Sequence, residues 1–185
     1  PLLTALNHGA LNDPKVRVIN ADAMNFLTES RDFYDVVIMD FPDPNVPAVG
    51  KLYSRSFFQL ALRRISARGV LTTQATSPFF AKQAYWSIVS TLEKAVFGKP
   101  EQRIVTPYHV NVPSFGEWGF VLATPGPFQI EKVTVPVKTR FLNSETLPGL
   151  FAFSKDLQRV DVEKNELSNQ SLIRYYAKAW KKWNY

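Results

Sequence analysis

The chain has 185 residues and a mass of 21.0 kDa, with 45% hydrophobic and 14% aromatic side chains, a composition that supports one packed domain and excludes intrinsic disorder. It has no cysteine, which excludes disulfides, thiolate metal sites and cysteine nucleophiles, and its two histidines, His8 and His109, are too distant in sequence to suggest a histidine metal site or a Ser-His-Asp triad. The net charge of +6 is uneven: residues 1–50 hold 3 basic and 7 acidic side chains, a net −4, whereas residues 51–99 hold 8 and 1, a net +7.

Taken in chain order, Leu2 to Leu6 reads as the end of a helix closed by Gly9, and Asp13-Pro14 as a turn. Val16 to Asn20 alternates like a short strand, and Asp22 is placed to cap a short helix over Ala23 to Leu27. The unbroken apolar run Val36-Val37-Ile38-Met39 predicts a strand buried on both faces, as in parallel sheets. It ends at Asp40 and runs into the proline-rich loop 41–47. Ser54 can cap a helix whose apolar face is Phe57, Phe58, Ala61, Leu62 and Ile65, with Gly69 as its end and Val70 to Gln74 as the next strand. Ser77-Pro78 starts a helix with a face of Ala81, Ala84, Tyr85, Ile88, Leu92 and Ala95, stopped by Gly98 and Pro100. Ile104-Val105 and Gly119 to Ala123 read as antiparallel strands, with Tyr108, His109, Asn111 and Ser114 in the loop between them. Residues 125–165 are turn-rich, and Leu172, Ile173, Tyr176 and Trp180 mark one face of a final amphipathic helix. The order defines an α/β doubly wound pattern with an antiparallel C-terminal edge: residues 1–124 form the core and 125–185 an extension.

In such sheets ligands lie outside the carboxyl ends of the strands, where Asn20 to Asp22, Asp40 to Asp43 and Gln74 to Ser77 all fall. Asp40 and Asp43 are the sharpest feature. An acid directly after a buried strand is held at a fixed point, and Pro42, Pro44 and Pro47 stiffen the adjoining loop. Two such carboxylates suit a cationic amine, or one can act as a general base; the plain alternative is a pair of turn-forming acids. Asp22 could meet an adenine or a sugar, but taken alone it reads as a helix cap. Gln74 is a weaker candidate, because polar residues commonly finish strands. Tyr108 and His109 could reach a site, although a solvated loop accounts for them as well.

The string Asp40-Phe41-Pro42-Asp43-Pro44-Asn45-Val46-Pro47 resembles the aminopropyltransferase (spermidine/spermine synthase) signature Asp-x-x-Asp-Pro-x-x-Pro. Asp13-Pro14-Lys15-Val16 with Asp22-Ala23, Leu52 to Arg55 and Gly116 to Phe120 fit the same family in order and spacing. The stretches Thr106 to Ala123 and Arg174 to Trp183 look most like bacterial members with an N-terminal membrane region. The resemblance implies a Rossmann-like, methyltransferase-type sheet and aminopropyl transfer from decarboxylated S-adenosylmethionine to a di- or polyamine. Asp40 matches the general base, Asp43 an acceptor-binding residue, Asp22 and Ala23 the pair at the adenine, and Pro47 a donor-pocket residue; Gln74 and Tyr108 are expected on the acceptor. No metal, no tightly bound cofactor and no nucleic acid is expected, and the partners are a small polyamine and further copies of the chain. A cytoplasmic location is expected, with an upstream membrane tether as in those bacterial members. Phe41-Pro42 replaces a small hydroxyl pair, and Pro113 replaces a tyrosine. The family's glycine-rich turn and the acid ending its second strand have no match, so the chain reads as the C-terminal two-thirds of a catalytic domain, with strands lacking between 16–20 and 36–39.

Two alternatives use the same residues differently. A methyltransferase shares the fold, although paired carboxylates favour a polycationic acceptor. A non-catalytic basic module binding nucleic acid or an anionic membrane would use the +7 of residues 51–99, most of which falls on the outer faces of helices.

Overall fold

The computed structural model describes residues 6–96, 103–127 and 129–182. The helix end at Leu2 to Ala5 and the Gly98–Pro100 stop fall outside these. Four strands form one sheet in the order β1-β2-β4-β3: β1 Tyr34–Met39, β2 Ile65–Gln74, β3 Ile104–Val112 and β4 Gly116–Thr124. β1 and β2 are parallel, and β4 is antiparallel to both β2 and β3. The α-helices that accompany them among the described residues include α1 Ala23–Glu29, α2 Pro47–Gly50, α3 Arg55–Leu62, α4 Lys82–Val96 and α5 Ser171–Trp180.

The caps expected at Asp22 and Ser54 form. Asp22 Oδ1 accepts from the N–H groups of Met24 (2.9 Å) and Asn25 (3.1 Å) at the start of α1. Ser54 Oγ accepts from Phe57 N–H (3.3 Å) and caps α3. Ser77 Oγ accepts from Phe79 and Phe80 N–H, but residues 78–81 form a turn and α4 starts only at Lys82, later than Ser77-Pro78 predicted.

Strand alternation divides the sheet into two faces. Val37 and Met39 of β1, Leu71 and Thr73 of β2, and Val121 and Ala123 of β4 point to the helices. There they meet Phe57, Phe58, Tyr85, Ile88, Leu92 and Leu172, all buried, in one core. Burying each such large side chain is worth roughly 1.5–3 kcal/mol. The other face carries Ile38, Thr72, Gln74, Trp118 and Phe120, which surround a cavity.

Four further expectations are corrected. β1 is buried on one face only, with Val36 58% and Ile38 72% exposed, because the described helices line a single face. Residues 16–20 form no strand: the sheet begins at β1, and no described strand lies alongside to take their backbone hydrogen bonds. Ile65 belongs to β2 and not to α3, and Gly69 lies inside β2. Tyr34 pairs with Ile65 but Val36 with Val70, so β2 bulges between them. A Cβ at Gly69 would lie 2.8 Å from the Asp35 carbonyl oxygen and 2.9 Å from that of Tyr34, and the buried Arg103 guanidinium donates to the carbonyls of Gly69 and Ser66. Finally, Tyr108, His109 and Asn111 lie within β3, opposite Phe120, Gly119 and Glu117. β3 runs on through Pro107 because it is an edge strand, where a missing N–H is tolerated.

Candidate active site

Asp40 follows the last residue of β1 on the open face of the sheet, and Gln74 ends β2 on the same face. With Thr72, Tyr108, Trp118 and Phe120 they line a cavity of about 540 Å³. Its walls are largely apolar, with the aromatic rings of Tyr108, Phe115, Trp118 and Phe120 among them, and, among the described residues, no basic side chain lines it. The Tyr108 hydroxyl lies 3.0 Å from Thr72 Oγ1, and its ring stacks on Phe120 at 5.2 Å. Burial raises the pKa of this phenol, so it stays protonated at neutral pH.

The loop after Asp40 is short of N–H groups because of its prolines, and its carbonyls take their donors from elsewhere. Tyr53 donates to the carbonyls of Phe41 (3.2 Å) and Pro42 (3.1 Å). Gln74 Nε2 donates to the Phe41 carbonyl and to the Tyr53 hydroxyl, both at 2.6 Å. Gln74 Oε1 accepts from Thr76 N–H (2.8 Å) and Trp118 Nε1–H (3.2 Å). All four hydrogen-bonding positions of this amide are thus engaged within the protein. A substrate contact at Gln74, as expected from the sequence, competes with these bonds; the observed geometry makes the residue a strut joining β2, β4 and the Asp40 loop. Burial, followed by the nearby Asp43, drives the Tyr53 phenol far above its usual pKa, so it is a permanent donor.

Asp43 Oδ2 accepts from the Tyr176 hydroxyl at 2.8 Å, which links the loop to α5. Burial, then this carboxylate, raises the Tyr176 pKa. Asp22, Ala23 and Pro47 come from two segments joined by an ion pair of Lys51 Nζ and Asp22 Oδ2 at 2.9 Å. The Lys51 hydrogen bond, ahead of that from Asn25 N–H, lowers the Asp22 pKa. Both Asp22 oxygens are therefore in use, one as a helix cap and one on Lys51. His109 faces two acceptors, Glu117 Oε2 at 2.7 Å from Nδ1 and the Ala152 carbonyl at 2.8 Å from Nε2, and so ties the extension to the hairpin.

Sequence reasoning passed over Tyr53, Lys51, Trp118, Tyr176 and Trp180 as site residues. Trp118 stood inside the quoted Gly116–Phe120 segment, whose glycine at 119 has a clear purpose. A Cβ there would lie 2.3 Å from the Tyr85 ring and 2.8 Å from the Thr76 carbonyl oxygen. Only glycine lets Tyr85 pack against β4 and donate to the carbonyls of Tyr108 and Phe120.

A sheet that passes from parallel to antiparallel strands, with a carboxylate over a cavity at the carboxyl ends of its parallel pair, is a Rossmann-like α/β architecture, a class in which ligands lie at that rim. Residues 2–130 match the spermine/spermidine synthase domain. The chain is 46% identical over 179 residues to polyamine aminopropyltransferase 2 of Ralstonia nicotianae, covering 96% of the chain and 34% of that protein. It is 45% identical over 179 residues to the polyamine aminopropyltransferase of Leptospira interrogans, at 97% and 34% coverage. Its fold is similar to spermidine synthase in complex with the transition-state analogue AdoDATO (TM-score 0.68, 23% identity, 84% of this chain and 55% of that one). The likeness extends to spermidine synthase from Thermotoga maritima (TM-score 0.66, 23% identity, 84% and 54%). The chain belongs to the spermine/spermidine synthase domain family. It spans about a third of the length of the curated relatives it matches.

Proposed function

We propose that the protein carrying this chain transfers an aminopropyl group from decarboxylated S-adenosylmethionine to a di- or polyamine, with Asp40 as the general base. The observation that carries this reading is the position of Asp40: a carboxylate at the end of a strand, over a largely apolar cavity that no described basic side chain lines. An alkylamine has a pKa of about 10.4 and is protonated at neutral pH. The carboxylate attracts the ammonium, takes one proton and frees the nitrogen lone pair. That lone pair forms the new N–C bond as the C–S bond of the sulfonium breaks, its electrons returning to sulfur. The leaving thioether is neutral and needs no acid. Asp43 holds the acceptor, and Asp22, Ala23 and Pro47 belong to the donor side; Tyr53 and Gln74 fix the loop that presents Asp40.

Family membership and the residue match support this assignment. The test is mass-spectrometric product analysis of the full-length protein with decarboxylated and ordinary S-adenosylmethionine and a panel of diamines. An aminopropylated product formed only from the decarboxylated donor, and lost in Asp40→Asn, is the expected result. Methylation from the ordinary donor, or full activity in Asp40→Asn, overturns the assignment.

A further inference from the structure

Thr76 lies just past the carboxyl end of β2 and carries two local penalties. Its backbone is left-handed, with a φ of 58°, a conformation that a β-branched residue rarely adopts. Its side chain is fully buried, yet the hydroxyl has no hydrogen-bond partner among the described residues. The main chain, by contrast, is fully used. Thr76 N–H donates to Gln74 Oε1 (2.8 Å), and the Thr76 carbonyl accepts from Gly119 N–H (2.7 Å). Ala75 N–H donates to the Gly119 carbonyl (2.8 Å), so two residues after β2 face one residue of β4, the count of a β-bulge. Ser77 Oγ donates to the Glu117 carbonyl and ties the next residue to β4 as well. Backbone strain persists only where the surroundings over-determine it, and it gathers at functional sites.

The use of position 76 therefore lies in its backbone. The angle φ sets the carbonyl relative to the N–H, and the left-handed value lets one residue serve Gln74 on one side and Gly119 on the other. Thr76 N–H and the Trp118 indole N–H can only donate, and both sit on Gln74 Oε1. A flipped amide would set its NH2 against two donors and its oxygen against the Phe41 carbonyl. The amide thus keeps Nε2 on the Phe41 carbonyl and on the Tyr53 hydroxyl. We propose that Thr76 is a positioning residue for Asp40: its left-handed backbone, locked on Gly119, fixes the Gln74 amide in the one orientation that holds the loop after β1. This rests on the reading of Asp40 as the general base.

The test reads the Gln74 amide and the reaction separately in the full-length protein, with the decarboxylated donor and a diamine. Placing the α-hydroxy acid of threonine at position 76 exchanges only the N–H for an ester oxygen. In this ester protein, solvent exchange of the isotope-labelled Gln74 side-chain amide is expected to quicken in NMR spectra. The kcat is expected to fall about tenfold at an unchanged donor KM, as for a small misplacement of a reacting group. Thr76→Asn and Thr76→Gly accept a left-handed backbone, so they keep the kcat and raise the thermal midpoint. Thr76→Val keeps the kcat because the hydroxyl takes no part. The proposal is overturned if the ester protein keeps the parent's kcat, or if Thr76→Val loses as much as the ester. A lower thermal midpoint of the ester with an unchanged kcat marks a purely structural role and overturns it too. Quicker amide exchange in the ester, when the parent transfers no aminopropyl group, supports the positioning role and defeats the transferase assignment. Equal transfer by the parent and the ester does the reverse.

Discussion

Gln74 Nε2 lies 2.6 Å from the hydroxyl oxygen of Tyr53, and both groups donate to the carbonyl oxygen of Phe41. Two residues from different elements thus serve one carbonyl of the loop that carries Asp40 and Asp43. A proline-rich segment has few N–H groups with which to fold on itself, so its rigidity depends on donors brought from outside.

Tyr53→Phe therefore removes a buried donor and leaves the Gln74 amide one partner short. A destabilisation of about 1–3 kcal/mol is expected in urea unfolding, because an unsatisfied buried group costs that much. The kcat should fall with it, since Asp40 loses its fixed position, while the Asp40 side chain is untouched. An unchanged kcat would show that the loop holds its shape without Tyr53.

Gly119→Ala forces a methyl group to within 2.3 Å of the Tyr85 ring, where the neighbouring Thr76 carbonyl prevents an easy shift. Overpacking of this kind costs about 1–3 kcal/mol. Thermal melting should fall accordingly, and Gly119→Ala combined with Tyr85→Leu should cost less than the two changes added separately.

Lys51→Met tests the contact that joins the segment of Asp22 to that of Lys51. Asp22 titrates below its ordinary carboxyl value because Lys51 donates to it, so removing Lys51 should raise its pKa in an NMR titration. A depressed folded-state pKa contributes stability that is present above the unfolded value of about 3.9 and lost as pH falls through the folded one. The variant should consequently lose less stability than the parent on acidification below that value. An unaltered Asp22 titration would show that the ion pair is not formed in solution.

His109→Leu cuts the link from β3 to the Ala152 carbonyl and to Glu117. Faster amide hydrogen exchange is expected over residues 151–156, with little change in the helical core. Equal protection in both proteins would mean that ring packing of Phe153 on Tyr85 and Trp86 is sufficient to hold the extension.

Local signals in the sequence carried well into the structure. Ser77 closes a turn ahead of α4, whereas Asp22 and Ser54 cap as expected, because a cap is decided by a few neighbouring atoms. The same holds for Asp40 at the end of its strand. What failed depended on distant partners. Val16 to Asn20 has the alternation of a strand but no described neighbour to pair with, and Tyr108, expected in the loop after Val105, lies in β3 because its pairing with Phe120 of β4 extends the strand to Val112. Tyr176 and Trp180 read as plain apolar residues of α5; their polar atoms were the clue that this face meets more than a hydrocarbon core. The Gln74 network could not be foreseen, since it joins residues 41, 53, 76 and 118.

The alternation along β1, β2 and β4 has a consequence for how such a domain can diversify. Leu71, Thr73, Val121 and Ala123 face the helices, whereas Thr72, Gln74, Phe120 and their neighbours face the cavity. Adjacent residues thus serve separate ends, packing on the helices for one and lining the cavity for the next. Substitutions at Thr72 or Phe120 can alter the cavity and leave the helix-facing set intact, Gln74 being tied to the Asp40 loop, whereas inserting one residue into β2 would exchange the two sets and damage both.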